Sequence, residues 1–255
     1  MSSILDRFRL DRKVAIVTGA SRGLGQGYAQ ALAEAGADVV LVDIGPSPET
    51  EAQVRALGRR TLSVEANLAD RTSIPRVIAE AKKLTGRLDI LVNNAGIIRR
   101  EDFDKFTEKD WDDVISVNLN AVFFLSQAFV RELLARKSPG TIINVASMLS
   151  FQGGVRVPSY TASKSAVMGL TRLMANELAA KGITINAIAP GYMATDNTAQ
   201  LRADEARNKA ILDRIPAGRW GTPDDLKGTV VFLASAASDY INGYTIAVDG
   251  GWLAR

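Results

Sequence analysis

The 255-residue chain contains no cysteine and no histidine. Without cysteine there are no disulfides, no thiolate nucleophile and no cysteine-bound zinc. Without histidine the commonest general base and the commonest zinc ligand are missing. A Ser-His-Asp hydrolase is therefore excluded, and so is a dehydrogenase built on histidine or structural zinc. Proton transfer falls to Tyr, Lys, Asp, Glu or water. Charge of one sign is scarce as well: 31 Lys and Arg against 28 Asp and Glu leave +3. No basic run gathers this surplus, so it gives a solvated, mildly basic surface and no stripe for nucleic acid. No window approaches the ~18 apolar residues of a membrane span. The charged start MSSILDRFRLDRK lacks the apolar stretch of a signal peptide. These features predict a cytoplasmic protein that engages neither nucleic acid nor membrane.

Hydrophobic residues make up 47% of the chain and charged residues 23%, enough apolar material for a core without disulfide or metal staples. Short β-branched runs alternate with helix-length segments along almost all of it. The pattern predicts strands at 14–18, 38–42, 61–65, 88–92, 140–145, 184–188 and 244–248. It predicts helices at 23–35, 49–57, 73–84, 111–136, 159–180 and 223–233. The strand runs are continuously apolar, as expected when helices cover both faces of a parallel sheet. Repeated β-α units then force right-handed crossovers and a Rossmann-type, doubly wound α/β fold with a seven-stranded parallel sheet. No Pro/Gly-rich linker divides residues 1–255, which reads as a single domain. The long interruption at 192–219 has the length of a substrate loop or lid.

Directly after the first strand stands Thr18-Gly19-Ala20-Ser21-Arg22-Gly23-Leu24-Gly25. Glycines let the chain turn here and let backbone N–H groups approach a diphosphate at the start of a helix. Alone, such a cluster is also an ordinary turn; its place between a strand and an apolar helix favours binding. Gly19, Ser21, Arg22, Gly23, Leu24 and Gly25 are thus candidate cofactor residues. Asp43 ends the second strand, where a carboxylate accepts hydrogen bonds from both ribose hydroxyls and repels a 2′-phosphate. That favours NAD over NADP. Arg22 pulls the other way if it pairs with such a phosphate, or it is an exposed loop charge. Asn93-Asn94-Ala95-Gly96 follows the fourth strand and suits a close meeting of backbone and cofactor, or a simple turn.

Tyr160-Thr161-Ala162-Ser163-Lys164 places a phenol and an ammonium four residues apart, on one helix face. In isolation that spacing is usually a solvated pair. Ser147 ends the fifth strand, and Asn118 is a polar residue between Val117 and Leu119 in a helical stretch. The ordered set TGxxxGxG at 18–25, NNAG at 93–96, Asn118, Ser147, YxxxK at 160–164 and Pro190-Gly191 resembles the short-chain dehydrogenase/reductase family over the whole chain. The resemblance implies a catalytic tetrad of Asn118, Ser147, Tyr160 and Lys164 and a nicotinamide cofactor. In it Ser147 bonds the substrate oxygen, Lys164 the nicotinamide ribose, and Asn118 a water linking Lys164 to solvent. It implies further that Asn94, Ala95, Gly96, Pro190 and Gly191 pass near the cofactor and that Thr195 contacts the carboxamide. Asn67, beside Leu68, stands where many relatives place an Asp for the adenine amino group; Asn keeps an acceptor there. A free tyrosine, with a pKa near ~10, is a poor base at neutral pH. Lowering it to about 7 takes roughly 4 kcal/mol of preferential phenolate stabilisation, which a nearby ammonium in a desolvated site largely supplies.

The stretches 93–103, 146–177, 188–198 and 242–255 resemble, more narrowly, family members that interconvert 2,5-diketo-3-deoxygluconate and 2-keto-3-deoxygluconate in uronate breakdown. An acidic sugar needs a cation for its carboxylate and polar groups for its hydroxyls. Gln152 and Arg156 lie between Ser147 and Tyr160, so the substrate set is Ser147, Gln152, Arg156 and Tyr160. Arg156 is the expected carboxylate partner, with Arg99, Arg100 and Arg202 as further candidates, each of which is by itself more often a surface charge. No metal site is expected. The apolar end at Trp252 and Leu253 is expected to dock, and the resemblance implies a homotetramer. Two other readings stand beside this one. Another short-chain reductase, such as a 3-oxoacyl carrier-protein reductase or a sugar dehydrogenase, would keep the tetrad and change the pocket. A non-enzymatic NAD-sensing protein would have no use for Tyr160 and Lys164 together.

Overall fold

The computed structural model describes residues 3–255. The apolar runs form strands β1 (Val14–Thr18), β2 (Asp38–Asp43), β3 (Thr61–Glu65), β4 (Ile90–Asn93), β5 (Gly140–Val145), β6 (Ile183–Pro190) and β7 (Thr245–Val248). They pair in the order β3-β2-β1-β4-β5-β6-β7, every pair parallel. Helices α1 (Gly23–Glu34), α2 (Pro48–Ala56), α3 (Ser73–Lys82), α4 (Glu108–Ile115), α5 (Ala121–Ala135) and α6 (Pro158–Leu178) surround the sheet. The chain continues through the short helices α7 (Ala199–Ala203) and α8 (Glu205–Leu212) to α9 (Asp224–Ala234). The predicted Rossmann-type arrangement is the one found.

Strand β1 shows why both sheet faces are dry. Ala15 and Val17 point to one side and pack with Tyr28 and Leu32 of α1 and Val230 and Leu233 of α9. Val14 and Ile16 point to the other and pack with Val77 of α3 and Leu125, Phe129 and Leu133 of α5. At the edges, β3 and β7 are only partly buried, because each has a neighbour on one side alone.

Three differences from the sequence reading have physical causes. Strand β4 begins later than expected, because the buried Asp89 carboxylate takes the backbone N–H of Val14 at 2.9 Å and pairs with Arg87. Strand β6 runs on to Pro190, which pairs in register with Val248; a proline is tolerated at a strand's end, where no ladder donor is needed. The expected helix 111–136 starts earlier and is broken in character: α4 and α5 are joined by a π turn, Ser116–Asn120, where Ala121 N–H bonds the Ser116 carbonyl. Within the run Glu108–Ala135 an 18-residue window reaches a mean hydropathy of 1.4, long and apolar enough by composition to cross a membrane. Leu125, Phe129 and Leu133 put its apolar stripe into the sheet core.

A buried chain of amides and hydroxyls ties the layers together behind the strand ends. Asn93 Nδ2 donates to Ser126 Oγ and Asn144 Oδ1, both at 2.9 Å, and Asn144 Nδ2 donates to Thr171 Oγ1 at 2.9 Å. β4, α5, β5 and α6 are thereby held in one register by groups that water does not reach. Asn144→Ala strips a partner from Asn93 and leaves a small void. Chemical denaturation should show a loss of about 2–3 kcal/mol, with the m-value unchanged.

Candidate active site

The functional side chains gather at the carboxyl ends of the strands, around a cavity of about 1200 Å³. Strand order reverses between β1 and β4, and that crevice is where doubly wound sheets hold their ligands. Helix α1 opens there with no side-chain cap on its first turn, so its N–H groups and its dipole are free for an anion. Gly25 is pressed against the turn: a Cβ on it would stand 1.9 Å from the Gly19 carbonyl oxygen. Gly23 takes φ +59°, and a Cβ added there would meet the Thr195 methyl at 3.9 Å. Of the residues the motifs single out, Gly19, Ser21, Arg22, Gly23, Leu24, Gly25, Asp43, Asn67, Leu68, Asn94, Ala95, Gly96, Gly191 and Thr195 line the cavity. Pro190 does not; it is buried in the sheet and orders Gly191 from behind. A dinucleotide suits this cradle of glycines, uncapped N–H groups and a carboxylate at the end of β2.

Asp43 is held rigidly, its two oxygens accepting the N–H groups of Ser21 at 2.8 Å and Ile44 at 2.7 Å. Arg22 pairs with Asp196 at 3.2 Å, but both side chains are more than three-quarters exposed, so the pair is weak and easily exchanged. Asn94 bonds the carbonyls of Thr18 and Gly19 through Nδ2 and so welds the loop after β4 to the glycine turn. Asn67 caps its own turn, with Oδ1 accepting Ala69 N–H at 3.1 Å.

Helix α6 carries Tyr160 and Lys164 on one face, as their spacing requires. The Lys164 ammonium lies 5.7 Å from the Tyr160 ring centre and donates to the Val145 carbonyl at 2.6 Å. Burial lowers its pKa to about 8. Burial raises the pKa of the Tyr160 phenol, opposed by hydrogen bonding with Ser147 and by the charge of Arg100. Ser147 Oγ accepts Leu149 N–H at 3.1 Å, which leaves its own proton to give. Asn118 is completely buried and does not line the cavity. Its side chain grips Ile97, accepting the N–H at 2.8 Å and donating to the carbonyl at 2.9 Å. Phenol, hydroxyl and ammonium thus converge where a proton can be exchanged with a carbonyl or alcohol.

At the substrate end, Arg156 lines the cavity, and its half-exposed guanidinium also pairs with Glu101 at 3.0 Å and Asp102 at 2.9 Å. Arg99 pairs with Asp110 and Asp113. Arg202 binds the Thr195 carbonyl and is no part of the lining. Besides Lys164, the cations that line the cavity without a carboxylate partner among the described residues are three arginines, Arg100, Arg207 and Arg214. All three act on the Tyr192 phenol, whose pKa is raised by burial and lowered by these charges. Gln152 lines the cavity and holds Arg214 at 3.2 Å, while the Trp252 ring stacks on that guanidinium at 4.0 Å.

The predicted loop at 192–219 is therefore not structureless. A Met193–Gly221 bridge closes its base, and α7 and α8 form its body. Arg207 and Ile211 follow helical spacing along the inner face of α8, and Arg214 lines the cavity from the turn just after it. Arg207 and Arg214 escaped the sequence reading, although the spacing of Arg207 to Ile211 was available to it. Trp252 and Leu253 dock as expected, packing with Met148, Ile211 and Tyr192 in the cavity floor.

A family model described as Enoyl-(Acyl carrier protein) reductase matches residues 19–253. A 2-dehydro-3-deoxy-D-gluconate 5-dehydrogenase of Escherichia coli is 64% identical over 99% of this chain and 100% of its own. One of Bacillus subtilis with the same name is 53% identical over the full length of both. A solved structure from Agrobacterium tumefaciens with bound NADP is 55% identical, covers 98% of this chain and 99% of its own, and superposes with a TM-score of 0.91. A gluconate 5-dehydrogenase of Burkholderia cenocepacia, in complex with NADP and tartrate, is 41% identical, with 99% and 100% coverage and a TM-score of 0.95. With this agreement of motifs, fold and relatives along its whole length, the chain belongs to the short-chain dehydrogenase/reductase family.

Proposed function

We propose that the protein is a nicotinamide-dependent dehydrogenase of a keto sugar acid, interconverting 2,5-diketo-3-deoxygluconate and 2-keto-3-deoxygluconate. The observation that carries this reading is the order of groups along one cavity: the glycine cradle, then Ser147, Tyr160 and Lys164, then uncompensated arginines. The relatives named above for sugar-acid substrates support it. A nicotinamide dinucleotide held by the glycine cradle and Asp43 would supply the hydride chemistry. Tyr160 gives a proton to the carbonyl oxygen in reduction and takes it back in oxidation, while Ser147 donates its free hydrogen to the same oxygen. Lys164 spends one N–H on Val145 and has two left for the ribose and for proton exchange. The Asn118 side chain bonds Ile97 through both its oxygen and its nitrogen and also reaches Ser163 Oγ at 3.4 Å, so it holds the segment after β4 and α6 around Lys164.

In such a substrate the reacting carbon and the carboxylate stand near opposite ends. Arg207 and Arg214, which act on Tyr192 and not on Tyr160, have the matching placement for the carboxylate. Asp43 favours NAD, and NADP is a second, weaker cofactor that an Arg22 released from Asp196 can accept. The NADP-bound relatives support that second use. The protein works in the cytoplasm as a homotetramer; the exposed Phe103 and Trp111 beside α4 offer apolar surface for assembly.

Following NADH absorbance with keto sugar acids, plain sugars and acetoacetyl thioesters should show turnover with the first group. Arg214→Met should raise KM for that group about 10–100-fold with kcat little changed; turnover with thioesters alone discards the reading. Tyr160→Phe should lose about 10²–10⁴-fold in kcat while keeping NADH affinity measured by fluorescence. Unchanged turnover would take the phenol out of the mechanism. Wild type should prefer NAD by kcat/KM, and Asp43→Ala should cut that preference about tenfold or more. An unaltered ratio would show that Asp43 does not select the cofactor.

A further inference from the structure

The segment after β7 folds back against the chain that follows α8. Asp249 ties it into a turn, its carboxylate accepting the N–H groups of Gly251 and Leu253, both at 2.9 Å. The Gly250 carbonyl accepts Ala217 N–H at 2.9 Å. Gly250 and Gly251 take φ +65° and +89°. A Cβ added at Gly250 would stand 3.0 Å from the Ile215 side chain, and one at Gly251 3.0 Å from Pro216. Two glycines therefore let the turn lie close enough to set Trp252 in the cavity wall. There the tryptophan is 4% exposed and packs with Met148, Ile211 and Ile215. Met148 directly follows Ser147, so this cluster adjoins the hydroxyl that serves the substrate oxygen.

The Arg214 guanidinium carbon lies 4.0 Å from the centre of the Trp252 ring. Tyr192 meets the same ring in a T-shape, with centroids 4.8 Å apart and planes at 69°, and fixes its tilt. Gln152 takes one Arg214 donor at 3.2 Å. A guanidinium carries five N–H donors and a ring face consumes none, so the rest stay available to a carboxylate. Arg214 is exposed within the cavity lining, open to what enters. Packing alone does not call for tryptophan here. Its Nε1 is buried without a hydrogen-bond partner, a cost that phenylalanine or leucine avoids. What tryptophan offers over both is the ring face that attracts a cation best. We infer that Trp252 is a positioning residue for substrate binding, holding Arg214 on its ring so that the guanidinium donors meet the substrate's carboxylate. The inference rests on the reading of Arg214 as a carboxylate ligand and extends the substrate end to the segment after β7. A long side chain loses rotamer freedom when it grips a ligand; the stack removes that freedom beforehand, so affinity rises although the tryptophan itself need not touch the acid.

The test is a double-mutant cycle on steady-state reduction of a keto sugar acid. Trp252→Leu and Trp252→Phe are each made alone and together with Arg214→Met. Trp252→Leu removes the ring face and should raise KM about 5–10-fold. Trp252→Phe keeps a weaker face and should raise it about 2–3-fold. In both, kcat should change less than KM, and NADH affinity measured by fluorescence should be retained. With Arg214→Met already in place, neither change should raise KM further by more than about 1.5-fold, because the residue it positions is gone. If Trp252→Leu does not fold, the Trp252→Phe cycle decides alone. Equal KM shifts with and without Arg214, or no shift in either variant, overturn the inference while leaving Arg214 as the carboxylate ligand. An Arg214→Met enzyme with unaltered KM defeats the carboxylate reading itself, and the inference falls with it.

Discussion

The structure turns on an ammonium kept out of water. Lys164 is 4% exposed, donates to a backbone carbonyl at the end of β5, and has no carboxylate beside it. A buried cation is costly unless its hydrogen bonds are supplied, and much nearby architecture reads as the means of supplying them. Helix α6 must lie across the end of β5 to reach Val145. The segment after β4 must carry a glycine at 96, because little room is left beside the ammonium. Burial in turn moves the lysine toward the pH range where protons are traded. The same desolvation that destabilises the charge makes the group useful.

Around that ammonium the sheet order does the positioning. With β1 and β4 adjacent and their connections running in opposite directions, the turns after both strands open into one crevice. Asn94 spans them by bonding the carbonyls of Thr18 and Gly19. One amide therefore couples the glycine cradle to the loop that carries Ile97 and Arg100. Beneath it, the Asn93–Asn144–Thr171 chain couples the strand ends to α6. The glycine turn and α6 are thus joined through polar bonds whose alternative is an unsatisfied buried group.

The periodic parts of the molecule were legible in the sequence. Strands β1, β3 and β5 have the bounds that their β-branched runs predicted, because a strand buried on both faces has few other ways to satisfy its composition. The glycine turn and the Tyr160–Lys164 pair were also legible, since spacing along one element fixes which side chains share a face. What spacing could not carry was interaction between elements. The π turn at Ser116–Asn120 has no compositional mark, and the grip of Asn118 on Ile97 joins residues from different layers. The start of β4 was missed for the same reason: the Asp89 carboxylate replaces a strand partner with a side chain.

Arginine identity shows the limit most sharply. The sequence offers a cluster of cations near the catalytic residues and no way to tell which are already spent. Arg156, the expected carboxylate partner, is paired twice; Arg100 is next to Arg99 in the chain yet faces the other way. The difference between them is local geometry, since one residue along an extended segment reverses the side-chain direction. The cavity's charge is then a matter of subtraction: Arg99 and Arg156 pair with carboxylates, while Arg100, Arg207 and Arg214 are left without one among the described residues. Arg100 and Arg214 are held by neutral partners, the Asn197 carbonyl and the Gln152 amide, so their charge stays available within the cavity instead of being spent on a carboxylate.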